Sequence, residues 1–403
     1  MRRNSKKPLS QVRRRANTSI TPTRGSAEGI SPKKSRREFL KTAVAAGAAG
    51  AAAAVGFPYI KTTFAQVPIV WKMQSGWPAR EFFHESAVAL VQKINEMSGG
   101  RLRIDLLPAG AVVGAFGIAD AVSTGLLDAG HAVGVYAYAK SPATSLFGTG
   151  PSFGMDAIDL LSWFYYGGGF ELYQELLAKL KLNIVNFLFG PMPTQPLGWF
   201  RNPVFKPEQF KGTKFRTVGL SAELFAELGA SVVILPGGEI VPALERGVID
   251  GAEFNNPSSD KALGFPDVRK VYMLQSYHQP VESLEVNINK GKWEALPADL
   301  KAIVRYAIFA EGADFHYRTI ARNSADLQEL EKQRGVRVFI TPKEVLNAQL
   351  DAWDKIIAKR SKEDPDFARI VNSQKAFARR VVPWKLRVYV DNSIAYNRYF
   401  KGK

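Results

Sequence analysis

Residues 121–131 read Ala-Val-Ser-Thr-Gly-Leu-Leu-Asp-Ala-Gly-His, and residues 243–253 read Ala-Leu-Glu-Arg-Gly-Val-Ile-Asp-Gly-Ala-Glu. Both fit one pattern, Ala-apolar-x-x-Gly-apolar-apolar-Asp. The glycine suits a helix C-terminus because it tolerates the left-handed conformation there, and the Asp-led turn enters a strand. Such connections are common, so the echo has a plain reading as two ordinary αβ turns. The other reading is two α/β lobes, each presenting a strand end to a shared crevice. In open α/β sheets ligands bind beyond the carboxyl ends of the strands. His131 and Glu253 hold matching places in the echo.

The flanking sequence supports an α/β class. Val67–Met73 is strand-like, and Ala79–Met97 has apolar residues at helical spacing before Ser98-Gly99-Gly100. Arg101–Leu107 alternates as a strand, Phe116–Leu127 reads as a helix and Gly130–Val135 as a strand. This β-α-β-α-β order predicts helices on a largely parallel sheet. The expected organisation is a first lobe over 66–190, a second over 191–280, and a returning strand with C-terminal helices over 281–403. Helices are expected over 291–315, 317–333 and 343–360, with a basic, aromatic segment from Ala376 to Phe400. These last helices would span the lobes or serve self-association as a homodimer.

The 403 residues carry a net charge of +17 and no cysteine. A large positive charge suggests nucleic acid or an anionic membrane. Residues 1–65, however, hold 14 Lys/Arg against Glu28 and Glu38, so about +12 sits there and only +5 on the rest. No nucleic-acid partner is expected. Ser35-Arg36-Arg37-Glu38-Phe39-Leu40-Lys41 looks like a twin-arginine export signal. An Ala/Gly-rich run to Gly56 follows, and Thr63-Phe64-Ala65 fits a cleavage site. The apolar run is shorter than the ~20 residues that span a bilayer, so cleavage and release to the periplasm are expected rather than a retained anchor. The absence of cysteine excludes disulfides, zinc–thiolate sites and thiol catalysis.

No H-E-x-x-H or phosphate-loop pattern occurs, and there are only four histidines. Gly167-Gly168-Gly169 lacks a strand-then-helix context. An enzyme is not expected.

Three further stretches carry a positive signal. Residues 190–201 read G-P-M-P-T-Q-P-L-G-W-F-R, residues 209–219 read Q-F-K-G-T-K-F-R-T-V-G, and 236–257 run from Pro-Gly-Gly to Phe254-Asn255-Asn256-Pro257. Together they resemble the periplasmic solute receptors of tripartite ATP-independent (TRAP) transporters, the DctP family, over essentially the whole mature chain. The tracts around 163–171 and 195–201 look most like the subgroup that binds 2-oxo acids and related monocarboxylates.

The resemblance implies a two-lobed fold that closes on a small carboxylate and docks on a TRAP membrane permease. It makes Arg216 the ligand-clamping arginine and Gln195 the ligand-binding glutamine. A guanidinium can meet both carboxylate oxygens at once, and an amide both donates and accepts. Glu253 and Phe254 match a Glu-Trp pair whose Glu, with a later polar residue, holds a cation bridging the ligand. The later position falls on Gln279, which keeps an oxygen but drops a charge often present there. Affinity for a cation should fall accordingly, and two readings stay open: Glu253 and Gln279 hold one sodium or calcium ion, or no ion is bound and the ligand is held directly by Arg216 and Gln195 with Glu253 behind them. Asn255 and Asn256 would influence ligand choice, and Tyr136 or Tyr138 would cover the ligand. Arg201 is a weaker candidate for contact. A receptor that presents its ligand to a sensor, and an exported enzyme, are the alternative functions.

Overall fold

The computed structural model describes residues 67–402. The export signal and the cleavage site after Ala65 lie outside the described residues. Among the described residues eleven strands run in chain order: β1 (Ile69–Ser75), β2 (Leu102–Leu107), β3 (Ala129–Ala132), β4 (Ile184–Met192), β5 (Gly198–Phe200), β6 (Lys214–Arg216), β7 (Ser231–Val233), β8 (Gly251–Ala252), β9 (Val271–Leu274), β10 (Glu282–Asn289) and β11 (Arg337–Ile340). They form two sheets, β2-β1-β3-β10-β4 and β11-β9-β5-β8-β6-β7.

Neither sheet is wholly parallel. β1 pairs in parallel with β2 and β3, but β10 runs antiparallel to both β3 and β4. In the second sheet β5 is antiparallel to β8 and β9, whereas β6 is parallel to β7 and β8. The reason lies in the chain path. It leaves the first sheet after β4, builds the second from β5 to β9, and returns through β10. The two crossing segments, 193–197 and 275–281, are tied together: the Gln195 amide donates to the Gln279 carbonyl at 3.1 Å, and Thr194 Oγ1 to the Pro280 carbonyl at 3.0 Å.

Several helices differ from the sequence expectation. The first begins at Phe82, not Ala79, because Glu81 caps it by accepting from the Phe83 amide at 2.7 Å. Ala115–Gly117 is a 3₁₀ turn before the helix Ile118–Thr124, which ends at left-handed Gly125. Lys290–Ala295 stops before Pro297, and one helix then runs from Ala298 to Lys332. No break occurs near residue 316, because a continuous buried stripe through Val304, Ile308, Glu311, Phe315 and Thr319 holds it.

That long helix touches both sheet units. Lys93 meets Glu311 at 2.7 Å and Arg322 meets Glu85 at 2.6 Å on one side. Ser258 donates to Asp326 at 2.6 Å on the other. Lys343–Glu363 packs on the second unit through Gln349, which bonds Ser276 and the Tyr277 amide. Pro365–Val388 packs back on the first, where Gln374 donates to the Leu146 carbonyl at 2.6 Å. No described helix is long and apolar enough to cross a membrane.

One ion-free contact joins the two units in the interior. Buried Glu81 accepts from Ser259 Oγ at 2.5 Å, and Ser259 belongs to the helix Pro257–Leu263 of the second unit. Burial pushes the Glu81 carboxyl up to about 7. The folded state thus holds its proton more tightly than the unfolded chain. This contribution to stability is complete below the ordinary carboxyl value and is lost as pH rises through about 7. Glu81→Gln, which keeps the shape without the charge, should gain on the native chain in melting temperature as pH rises from 5 to 8. Parallel melting curves for the two would refute this.

Candidate functional site

The sequence places an arginine at the end of β6 and a Glu-Phe-Asn run just after β8, two neighbouring parallel strands. Their carboxyl ends therefore face the same side. The first sheet answers with the turns after β1 and β3, and the two crossing segments close the rim. The result is a small cavity of about 20 Å³ lined by Trp77, Phe83, Val133, Tyr136, Gln195, Arg216, Val218, Phe254, Asn255, Gln279 and Glu282. It has room for about one water-sized body.

Arg216 is 1 % exposed. Its Nε and Nη2 donate to the Leu235 carbonyl at 2.9 and 2.7 Å. Its Nη1 donates to the Glu253 carbonyl and to Glu253 Oε1, both at 3.0 Å. Four of its five N–H positions are thus engaged, which fixes the plane of the guanidinium and leaves one Nη2 hydrogen. Glu253 stands behind the cavity wall, with Oε1 on Arg216 and Oε2 unpartnered. Burial raises its carboxyl to about 7, against the opposing pull of Arg216.

Gln195 comes from the outgoing crossing and Gln279 from the returning one. Gln195 Nε2 donates to Glu282 Oε2 at 2.6 Å, while its Oε1 is unpartnered. Gln279 is fully buried and neither of its amide atoms has a partner. Asn255 Nδ2 also donates to Glu282 Oε2, at 2.6 Å. Buried polar groups are nearly always satisfied, so this set of unpartnered oxygens around one cavity points to something that the protein itself does not supply. Oxygen atoms of carboxylate and amide are the donors a hard cation takes. The residues present therefore fit such an ion.

The apolar wall is aromatic. Phe254 lies 6.0 Å from Phe83 between ring centres, and Trp77 lies 6.4 Å from Tyr136. Gly237 makes room for Phe254: a Cβ there would stand 2.5 Å from its ring.

The structure brings Gln195, Arg216, Phe254, Asn255, Gln279 and Tyr136 to one cavity, with Glu253 joined through Arg216. Other sequence candidates go elsewhere. Tyr138 Oη donates to Glu223 at 2.7 Å, away from the cavity. Arg201 is exposed. Asn256 caps the helix Pro257–Leu263, accepting from the Ser259 amide at 2.9 Å. His131, the partner of Glu253 in the echo, is wedged between Trp77 and Phe189 with both ring nitrogens unpartnered. Burial holds it down to about 3, so it is neutral and a packing residue rather than a lining one.

Sequence reasoning missed Glu282, Trp77, Phe83, Val133 and Val218. For Glu282 a signal existed. In Glu282–Asn289, positions 284, 286 and 288 are Leu, Val and Ile, and by the period of two Glu282 shares their apolar face. An acid at such a position is an anomaly, and burial raises it to about 8, with Glu253 adding to the effect.

Residues 73–364 match the family model for bacterial extracellular solute-binding protein family 7, DctP. The monocarboxylate 2-oxoacid-binding periplasmic protein of Nostoc sp. is 30% identical over 365 residues, covering 90% of this chain and 98% of that relative. A TRAP periplasmic solute-binding protein from Pseudoalteromonas atlantica, solved with bound sodium and pyruvate, superposes with a TM-score of 0.76 at 32% identity, over 83% of this chain and 99% of that one. A TRAP solute-binding protein from Bordetella bronchiseptica gives 0.77 at 30% identity, over 81% and 96%; it was solved as a mixed-occupancy dimer with copurified calcium and picolinate in one site. The two-sheet architecture with bridging helices is the two-lobed architecture of these receptors, and the chain belongs to the DctP family of TRAP-transporter solute-binding proteins.

Proposed function

We propose that this receptor binds a small 2-oxo or 2-hydroxy monocarboxylate, with pyruvate the simplest member, in the cleft between its lobes, where the 20 Å³ cavity would widen to admit it, and hands it to a TRAP membrane permease. The observation that carries this reading is the buried Arg216 guanidinium. It is held rigid by Leu235 and Glu253, keeps one N–H free, and lines a cavity with the unpartnered Gln195 Oε1, the unpartnered Gln279 amide and the Trp77, Phe83 and Phe254 rings. A carboxylate leaving water needs such a partner. Gln195 and Asn255 would meet the 2-oxo or 2-hydroxy oxygen, Phe254 and Tyr136 would cover the carbon chain, and Glu253 with Gln279 would hold a sodium or calcium ion against it.

Closure follows from differential affinity: the ligand touches both lobes only when they meet. The lobes divide near 191 and 281, where the chain crosses. Nothing in this arrangement supplies a nucleophile poised on a base, and binding without turnover is the reading we adopt. Export through the twin-arginine route to the periplasm completes it.

Calorimetry on protein refolded free of ligand tests the reading. Pyruvate should bind tightly with calcium present, and stripping divalent ions with EDTA should weaken it at least tenfold. Failure of every 2-oxo and 2-hydroxy monocarboxylate to bind in either condition would sink it.

A further inference from the structure

We propose that the alkyl tail of the ligand passes Tyr136 into a second, apolar chamber, so that this receptor prefers 2-oxo monocarboxylates of five or six carbons to pyruvate. The inference rests on the monocarboxylate reading above and deepens it.

The cavity beside Arg216, of about 20 Å³, shares two walls with a chamber of about 310 Å³. The shared walls are Tyr136 and Val218. The smaller space holds about one water-sized body, whereas the larger has room for an alkyl chain. Phe116, Val135 and Ala137 line the chamber from the first lobe and Ile234 lines it from the second. Phe116 and Ile234 are exposed, and a tail lying there would cover them. Tyr136 is the partition. Its ring meets Phe116 edge-on at 4.8 Å between centres on the chamber side, and lies 6.4 Å from Trp77 on the cavity side. Turning this one ring joins the two spaces.

The chamber belongs to the closed form. Tyr138, two residues beyond Tyr136, donates to Glu223 of the second lobe at 2.7 Å. Arg360 holds Glu223 from behind, with Nε 3.0 Å from each carboxylate oxygen. These contacts join the lobes beside the chamber, so it is a space that remains when they meet.

The lining also selects the end of the tail. Lys140 at the rim is paired with Asp120 at 2.6 Å, and Tyr138 Oη is used on Glu223. A second carboxylate entering here would meet apolar side chains and the like charge of Asp120, which is costly. An alkyl tail has no such cost, and each methylene buried should tighten binding about fourfold.

Calorimetry on ligand-free protein in one buffer of fixed ion content tests this with pyruvate, 2-oxobutanoate, 2-oxopentanoate, 2-oxohexanoate and 2-oxoglutarate. Affinity should rise along the alkyl series, with 2-oxopentanoate at least tenfold tighter than pyruvate. 2-Oxoglutarate, with the same carbon chain as 2-oxopentanoate, should bind at least tenfold more weakly than it. Ile234→Trp fills the chamber from an exposed position and should bring the ratio of 2-oxopentanoate to pyruvate affinity close to one. Tyr136→Ala removes the partition and should raise that ratio. Each protein is its own reference, so a general loss of binding does not imitate either change. Pyruvate binding as tightly as 2-oxopentanoate and 2-oxohexanoate in wild type, or an unchanged ratio in either variant, overturns the proposal and leaves the monocarboxylate reading standing. If a variant does not fold, the wild-type series decides alone. If no monocarboxylate of any length binds, the monocarboxylate reading falls and this proposal with it.

Discussion

Replacing Arg216 with alanine should abolish measurable ligand binding and also lower the melting temperature. The two effects have different origins. Truncating one side of a buried, hydrogen-bonded charge pair costs about 2–5 kcal/mol in binding, at least a thirtyfold loss of affinity. The ligand carboxylate would lose the guanidinium N–H that faces the cavity. The stability loss comes from Glu253, whose Oε1 would lose its partner while the carboxylate stays 1 % exposed. Stranding such a group costs about 3–5 kcal/mol. The raised Glu253 carboxyl, already near 7 with Arg216 beside it, would rise further and take up a proton. The melting-temperature loss should therefore shrink at pH 5. Arg216→Ala with Glu253→Gln should recover part of the thermal stability and none of the binding. Calorimetry with pyruvate and melting scans of both variants separate the effects; an unchanged affinity in Arg216→Ala would remove Arg216 from the site.

What the sequence made legible was local. The helix-to-strand echo at 121–131 and 243–253 corresponds to the entries into β3 and β8. These rest on contiguous residues. The parts that did not show depend on pairing across long separations. β10 lies between β3 and β4 and reverses the sheet's direction, a fact set by where the chain returns. The single helix Ala298–Lys332 escaped because its apolar stripe is thin and is completed by contacts to two separate units. Glu282 escaped for the same reason. Its place on the apolar face of β10 is plain only when the strand is known to be central, and its partners Gln195 and Asn255 lie 87 and 27 residues away. His131 shows the converse error, a residue singled out by a local repeat and then used for packing.

Gly219 should prove as sensitive as the arginine, by a different route. It sits just before the helix Leu220–Glu227 with φ 59° and ψ −142°, a region that L side chains essentially do not occupy. A Cβ there would stand 1.9 Å from Val135 Cγ2 and 2.9 Å from Ser145 Oγ. Val135 and Ser145 belong to the first lobe and Gly219 to the second, and Val218 beside it lines the cavity. The glycine is therefore a close contact between the lobes beside the cavity. Gly219→Val adds a branched side chain to both problems. The overlap with Val135 disappears when the lobes part, so the variant should favour an open form. Pyruvate affinity should fall at least tenfold, because binding must then pull the lobes together against that overlap. Small-angle scattering with saturating ligand should show less compaction than for wild type. The variant Gly219→Ala with Val135→Ala relieves the overlap but not the backbone strain, and should recover only part of the affinity. If Gly219→Val binds pyruvate as tightly as wild type, the contact between Gly219 and Val135 is no part of the ligand-bound state.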